Sequence, residues 1–370
     1  MKHISILIKP ASSLCNLRCK YCFYANVSDL REVHSFGVIQ PEVTERIIEN
    51  IFSSLEDGDR LTLAFQGGEP SLAGLPCLKH FVDCVSRQLK KVQVEYSFQT
   101  NGILLDDEWC VFLKKHNFLV GLSLDGPARF HNENRVDATG QGSFRLVMDT
   151  KRRLERHGVE YNILCVLTNE LARHPQQVWK FLLENHIKYV QFIPCLDEFE
   201  QTGTPYTLSP RRFHSFYISL YRLWHEALIK GIYISVKLFD DIANLFLFRQ
   251  ATACGLTGHC NMQYIIEADG SVYPCDFYVL DEFKLGNLRT DSMSILYENY
   301  KQSGFESMRQ SLPPICSRCN YKNFCNGGCK RMEHSMYIDN DFCGYQALLE
   351  DILVPLCQDA QGLVRKSTIL

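Results

Sequence analysis

The stretch CNLRCKYCFY, Cys15 to Tyr24, places three cysteines at intervals of four and three residues and ends in two aromatics. Three thiols in one tight loop pose a chemical question. A structural tetrahedral metal site takes four ligands, and an iron–sulfur cluster is normally held by four thiolates. Three core thiols, a zinc site completed by a distant His or Cys, and a [4Fe–4S] cube with one open iron all satisfy the loop alone. An open iron is a functional feature, because it can bind a substrate or cofactor chelate.

The rest of the chain narrows the choice. Its 370 residues suit one large domain plus a smaller one. Hydrophobic content of 46% and charged content of 22% are those of an ordinary soluble globular protein. A net charge of -3 gives no field for nucleic acid or an anionic membrane. No apolar run reaches the roughly 18 residues of a membrane span. The start, MKHISILIKP, holds only a short apolar stretch before Lys9, too short for a signal-peptide core and better read as a buried strand. A cytoplasmic chain with no nucleic-acid or membrane partner is therefore expected.

Seventeen cysteines do not fit that ordinary picture. An odd count in a long chain without an export signal argues against a disulfide framework and for metal. Six are scattered singly: Cys77, Cys84, Cys110, Cys165, Cys195 and Cys357. The other eleven fall at Cys15/19/22, Cys254/260/275 and Cys316/319/325/329/343. Cys77 and Cys84, seven apart on one helix face, read as core thiols.

Up to about residue 195 the pattern alternates strand and helix. β-rich runs occur at 4–8, 61–65, 94–98, 118–124, 161–167 and 189–193, separated by helix-like segments. Six such repeats imply βαβ units and a parallel sheet, curled or closed into a barrel. Chemistry in such sheets sits at the carboxyl ends of the strands. The cysteine loop follows the first run, QGGEP (66–70) the second, QTNG (99–102) the third and DGP (125–127) the fourth. Two helix-like stretches follow residue 208, and the cysteine-rich part begins at Cys254, with short turns and few long periodic runs. The expected domains are 1–235 and 236–370.

A C-x3-C-x-(aromatic)-C loop directly after the first strand of a βα barrel resembles the radical S-adenosylmethionine (SAM) superfamily. The resemblance implies a partial (β/α)6 TIM-like barrel whose cluster, on Cys15, Cys19 and Cys22, is chelated at its open iron by SAM. Reductive cleavage of SAM then yields a 5′-deoxyadenosyl radical. Cofactor chemistry of that type needs the protein for positioning and for excluding water. GGEP fits the family's next motif, with Gly68 near the methionyl amine and Glu69 pairing with the SAM ammonium. The same resemblance implies Tyr21 and Leu196 at the adenine, Ser123 at the ribose and Arg135 at the methionine carboxylate.

The C-terminal pattern is C-x5-C-x14-C, then C-x2-C-x5-C-x3-C-x13-C. By itself it admits zinc knuckles as readily as iron. Beside the first loop it resembles the SPASM domain of peptide-modifying radical SAM enzymes, including a glycine, Gly270, five residues before Cys275. That resemblance implies two further [4Fe–4S] clusters, three in all. Cys254, Cys260, Cys275 and Cys329 would hold the first auxiliary cluster, and Cys316, Cys319, Cys325 and Cys343 the second. With no thiol to spare, both would carry electrons rather than bind substrate.

Within this group the chain is most similar to the anaerobic sulfatase-maturating enzymes, on LIKPASSLCNLRCKYCFY, AFQGGEP, QTNG, GLSLDGP, NILCV and SVYPCDFYVL. Those enzymes oxidise a cysteine or serine of a sulfatase to Cα-formylglycine. The similarity implies Asp276 as general base, Tyr24 and Gln66 orienting the substrate, and the auxiliary clusters as the path for the second electron. The partners implied are an unfolded or nascent sulfatase carrying Cys/Ser-x-Pro/Ala-x-Arg and an electron donor such as flavodoxin or ferredoxin. A SPASM enzyme forming a thioether crosslink on another ribosomal peptide remains the alternative, and a non-enzymatic zinc or electron-transfer protein the reading from a different class. No phosphate loop, HExxH or Ser-His-Asp order competes.

Overall fold

The computed structural model describes residues 1–200, 203–309 and 311–367. In chain order the strands are β1 (His3–Ile8), β2 (Arg60–Phe65), β3 (Gln93–Thr100), β4 (Leu119–Ser123), β5 (Tyr161–Leu167), β6 (Tyr189–Pro194), β7 (Ser235–Val236), β8 (Tyr264–Ile266), β9 (Ser271–Tyr273) and β10 (Gly286–Asn287). The six runs read from the sequence are β1 to β6. Helices separate them, among them Pro41–Ser53, Leu75–Ser86, Asp107–Lys115, Phe144–Arg156 and Pro175–Glu184. The chain is thus an α/β protein with parallel strands. Its residues fall into two compact units, each discontinuous in sequence.

The first unit comprises 1–123, 132–161 and 261–308. Its strands run β10-β9-β8-β1-β2-β3-β4. β1 to β4 are mutually parallel, β8 adds to β1 in parallel, and β9 and β10 follow antiparallel. Period-two alternation sends Ile8, Phe65 and Phe98, paired in register, to one face. There Phe65 meets Phe81 of helix Leu75–Ser86 edge-on, with ring centroids 5.1 Å apart. Ile47, Ile48 and Ile51 of helix Pro41–Ser53 are wholly buried, as a 3.6-residue period requires of a helix covering a sheet. That helix begins on Pro41, which needs no N–H partner at its first turn.

The pairing of β8 with β1 is the feature that the sequence did not announce. Ile6, Leu7 and Ile8 pair with Tyr264, Ile265 and Ile266, and Lys9 N–H donates to the Ile266 carbonyl at 2.8 Å. A segment from the cysteine-rich part therefore lies against the first strand. A second tie fastens it to the segment that follows the cysteine loop. Arg31, just past the short helix Phe23–Asp29, donates to Glu267 at 2.7 Å, and both are buried. The guanidinium lies 5.0 Å from the Phe36 ring centroid and 5.8 Å from that of Tyr273.

The second unit comprises 124–131, 162–260 and 309–370. β5, β6 and β7 are parallel there. Helices Pro210–Ile229 and Lys237–Phe248 pack through Tyr217, Tyr221, Trp224 and Phe239, whose rings meet at 5.6–6.0 Å. A third helix, Gly344–Ser367, packs on both. It is tied to Pro210–Ile229 by His214–Asp351 at 2.7 Å and His225–Asp359 at 2.8 Å. The sequence reading allowed few long periodic runs here, and Pro355 inside this helix hides it.

The Arg31–Glu267 pair leaves Arg31 Nε and one terminal guanidinium nitrogen, and Glu267 Oε2, buried without hydrogen bonds. Removing one partner strands a buried charge, which costs more than removing both. Glu267→Gln is expected to lower stability by about 3–5 kcal/mol, seen as a lower urea midpoint of the cluster-loaded protein. The double variant Arg31→Met/Glu267→Leu should lose less than Glu267→Gln alone.

Candidate active site

The three-cysteine loop leaves β1 and is held by backbone rather than by a core. Gly68 N–H donates to the Ser12 carbonyl at 2.9 Å and Glu69 N–H to the Leu14 carbonyl at 2.7 Å. A Cβ on Gly68 would lie 2.2 Å from the Leu14 carbonyl oxygen. The glycine of GGEP is therefore required by close approach to the cysteine loop. On the far side, Arg18 and Lys20 N–H donate to the Val136 and Asn134 carbonyls at 2.7 and 3.1 Å. Leu17 N–H donates to Cys15 Sγ at 3.4 Å, and Asn101 Nδ2 lies 3.9 Å from the same sulfur. Donors aimed at a sulfur suit a thiolate ligand of an iron–sulfur cluster.

Glu69 lies beside this loop and is almost wholly buried. Its Oε1 accepts from Ser71 N–H at 3.0 Å, Ser71 Oγ at 2.6 Å and Thr100 Oγ1 at 2.7 Å. Among the described residues its Oε2 accepts only from Asn101 N–H, at 2.7 Å. Burial pushes the carboxyl above its ordinary range, although these four donors pull it back. The second oxygen thus keeps acceptor capacity inside the protein.

A second cluster of side chains lies at the end of β1 and β2 and includes Asp276. Lys9 Nζ is 3.1 Å from Asp276 Oδ1, with both side chains buried. Asp276 Oδ2 accepts from Tyr24 OH at 2.5 Å and from Gln66 Nε2 at 2.7 Å, and Gln66 also donates to the Tyr24 hydroxyl. The Lys9 ammonium sits 4.6 Å from the Tyr24 ring centroid, and the Phe23 ring lies tilted against Tyr24 with centroids 4.0 Å apart. Burial, with the Asp276 charge second, holds the Tyr24 phenol well above its ordinary range, so it stays a protonated donor. Among the described residues Asp276 Oδ1 makes the ion pair but no hydrogen bond. A buried carboxylate oxygen remains there to accept a proton.

The structure brings together Tyr24, Gln66 and Asp276, which lie far apart in the sequence. Arg135 is buried, 5.7 Å from the Tyr21 ring centroid and 4.0 Å from Cys19 Sγ. Ser123 is buried at the end of β4. Leu196, half-buried, follows β6 in the second unit. Sequence reasoning missed Lys9, although a lysine closing a buried strand at the reactive rim was a visible signal. It flagged QTNG without giving Thr100 and Asn101 the task of holding Glu69.

The C-terminal cysteines lie on short loops. Within the second unit, Cys316, Cys319, Cys325 and Cys343 line one cavity together with Tyr321, Tyr337 and Tyr345. Tyr321 and Gln346 N–H donate to Cys319 and Cys343 Sγ, each at 3.4 Å. Cys329 N–H donates to the Gly255 carbonyl at 2.9 Å, and a Cβ on Gly258 would meet the Asn326 carbonyl oxygen at 2.4 Å. Those contacts lay the Cys254–Cys260 loop on the Cys325–Cys329 turn. Cys275 belongs to the first unit, beside Asp276. Among the described residues none of the seventeen cysteines forms a disulfide. Soft sulfur donors grouped without disulfides, with N–H groups aimed at them, fit iron–sulfur clusters.

Comparison with known proteins agrees with this chemistry. Residues 10–182 match the radical SAM superfamily, and residues 258–320 match the SPASM iron-sulfur cluster-binding domain. A cysteine-type anaerobic sulfatase-maturating enzyme of Clostridium novyi (strain NT) is 39% identical over 93% of this chain and 93% of its own. One from Clostridium perfringens is 40% identical over 90% and 91%. The solved structure of anSMEcpe with bound AdoMet superposes with a TM-score of 0.89 at 38% identity, covering 97% of this chain and 99% of that one. With these domains and this identity across nearly its whole length, the chain belongs to the anaerobic sulfatase-maturating enzymes of the radical SAM superfamily.

Proposed function

We propose that this chain oxidises a cysteine of a sulfatase polypeptide to Cα-formylglycine. The observation that carries the reading is Asp276, drawn to the mouth of the cysteine loop's strand by Lys9, Tyr24 and Gln66. A cysteine substrate is favoured over serine, because serine-type relatives such as that of Bacteroides thetaiotaomicron are only 29% identical. A homologous enzyme has been solved with AdoMet and the Cp18Cys peptide, which supports a peptide substrate. The alternative of a thioether-forming peptide modifier has no comparable support.

When bound, SAM and three [4Fe–4S] clusters supply the radical that removes a Cβ hydrogen and the acceptor for one further electron. The cysteines at 15, 19 and 22 would hold the first cluster. Cys254, Cys260, Cys275 and Cys329 would hold the second, and Cys316, Cys319, Cys325 and Cys343 the third. Glu69 would accept from the SAM amino group, Arg135 would pair with its carboxylate, and Tyr21, Gly68, Ser123 and Leu196 would line the remaining parts. Asp276 Oδ1 accepts the substrate thiol proton. The losses of hydrogen, proton and electron leave a thioaldehyde, which water hydrolyses to the aldehyde and hydrogen sulfide. Lys9 faces one oxygen of the carboxylate, while Tyr24 and Gln66 fix the direction of the other. A radical SAM domain over 1–235 and a cluster-holding domain over 236–370 remain the working division, supported by family matches on either side of residue 235. Among the described residues no helix is long and apolar enough to cross a membrane. A cytoplasmic setting with a flavodoxin or ferredoxin donor completes the proposal.

The reading is tested in one anaerobic reaction of reconstituted protein, dithionite, SAM and a Cys-x-Pro-x-Arg peptide, followed by mass spectrometry. Aldehyde together with 5′-deoxyadenosine is expected, and deoxyadenosine with an unmodified peptide would refute the substrate. Asp276→Asn should keep SAM cleavage and reduce aldehyde formation by about 10²-fold or more. Equal turnover by the variant would remove Asp276 from its role.

SAM affinity should also depend on pH through Glu69. Its carboxyl is raised by burial, so it takes up a proton at a higher pH than an exposed carboxylate. The ammonium prefers the charged form, so the SAM Kd should rise as pH falls toward that raised value. Isothermal titration across mildly acidic to neutral pH checks this. Glu69→Gln should bind weakly throughout, with the acid-side dependence gone.

A further inference from the structure

Away from the strand ends, the helices Pro41–Ser53 and Leu75–Ser86 bring three different ligand chemistries together. His80 and Cys84 stand one turn apart on the second helix, and Glu45 reaches them from the first. Cys84 Sγ lies 3.6 Å from His80 Nε2, and that same nitrogen lies 3.5 Å from Glu45 Oε1. All three ligand atoms fall within 4.8 Å of one another.

Hydrogen bonding accounts for the Cys84–His80 contact, whose length is ordinary for sulfur, but poorly for the Glu45 one. Nitrogen-to-oxygen hydrogen bonds cluster at about 2.7–3.2 Å, and 3.5 Å is longer. One imidazole nitrogen carries at most one proton, so Nε2 cannot both donate to Glu45 and accept from the Cys84 thiol. A shared metal reconciles the two distances. Zinc takes thiolate at about 2.3 Å and imidazole or carboxylate at about 2.0–2.1 Å. At tetrahedral angles those lengths give an S···N edge of about 3.6 Å and an N···O edge of about 3.3 Å.

We propose that Glu45, His80 and Cys84 form a zinc site, separate from the iron–sulfur cysteines, with its fourth position open to water. The mixed sulfur, nitrogen and oxygen donors suit this borderline-soft ion. Cys84 is buried at the floor, His80 is half-buried and Glu45 is exposed, so the ion enters from solvent. Loading replaces the thiol proton, which leaves to solvent. The bound ion clasps the two helices that flank the GGEP turn in the chain.

The test uses the holoenzyme with its clusters in place. It is equilibrated with micromolar zinc chloride, gel-filtered and assayed for zinc and iron by mass spectrometry. Wild type should retain about one more zinc per chain than His80→Ala or Cys84→Ser, with iron content and peptide oxidation unchanged. Zinc-edge absorption should show one sulfur among lighter ligands, and zinc should raise the Tm of wild type but not of His80→Ala. Equal zinc in wild type and His80→Ala would overturn the site. So would a zinc shell of several sulfurs, which would place the ion in emptied cluster positions.

Discussion

Three residues of parallel pairing, Ile6 to Ile8 against Tyr264 to Ile266, hold the rest of the site in place. They bring residue 276 toward residue 9, with the Arg31–Glu267 pair as a second fastening. The pairing is local in space but spans more than two hundred and fifty positions of sequence, so its loop-closure entropy is met by non-local contacts alone. The strands added to β1 bury Ile265, Ile266, Val272 and Tyr273 completely or nearly so. That apolar burial fixes the register to which the polar site is then attached. A slip of one residue would turn every side chain of β8 to the opposite face.

The polar site is the costly part of this arrangement. Lys9 and Asp276 both leave water, and a buried ion pair by itself adds little stability. What it adds is definition. Lys9 engages one oxygen of Asp276 while Tyr24 and Gln66 engage the other. The carboxylate is thereby held in one orientation, with Tyr24 kept as a donor by its own burial. The cysteine loops follow a related logic. They are short, built on glycines at Gly68 and Gly258 where backbone touches backbone. Loops of that kind draw much of their order from the metal they bind.

How much could be read in advance follows from the range of each interaction. β1 to β6 were legible because strands alternating with helices carry their period locally. The rim position of the cysteine loop, GGEP and QTNG followed from that order, Tyr24 and Gln66 from their place at the same rim, and Asp276 from its place after Cys275 together with family resemblance. β8 and β9 have three residues each, too few to show a period. Their pairing with β1 was therefore invisible, and with it the partner that Lys9 would find. The Arg31–Glu267 tie was hidden for the same reason. Helix Gly344–Ser367 was lost differently, to a proline within an otherwise apolar run. Cys84 was rightly read as buried, but its neighbour Glu45 arrives from another helix and no spacing rule could pair them.

The sequence neighbours Cys275 and Asp276 show how one short segment serves two chemistries. Cys275 has φ −153° and ψ 140°, an extended conformation. The Asp276 carboxylate turns toward Lys9, with Oδ1 3.1 Å from the ammonium. One peptide bond keeps the proposed cluster ligand and the proposed base adjacent. Asp276 then begins a short turn, Asp276–Tyr278, which buries Tyr278 against Phe283 and Phe305 at 5.7 and 5.4 Å and anchors the far end of the segment. The base is fixed on both sides, by a strand before it and an aromatic anchor after it, so its orientation does not depend on the substrate it serves.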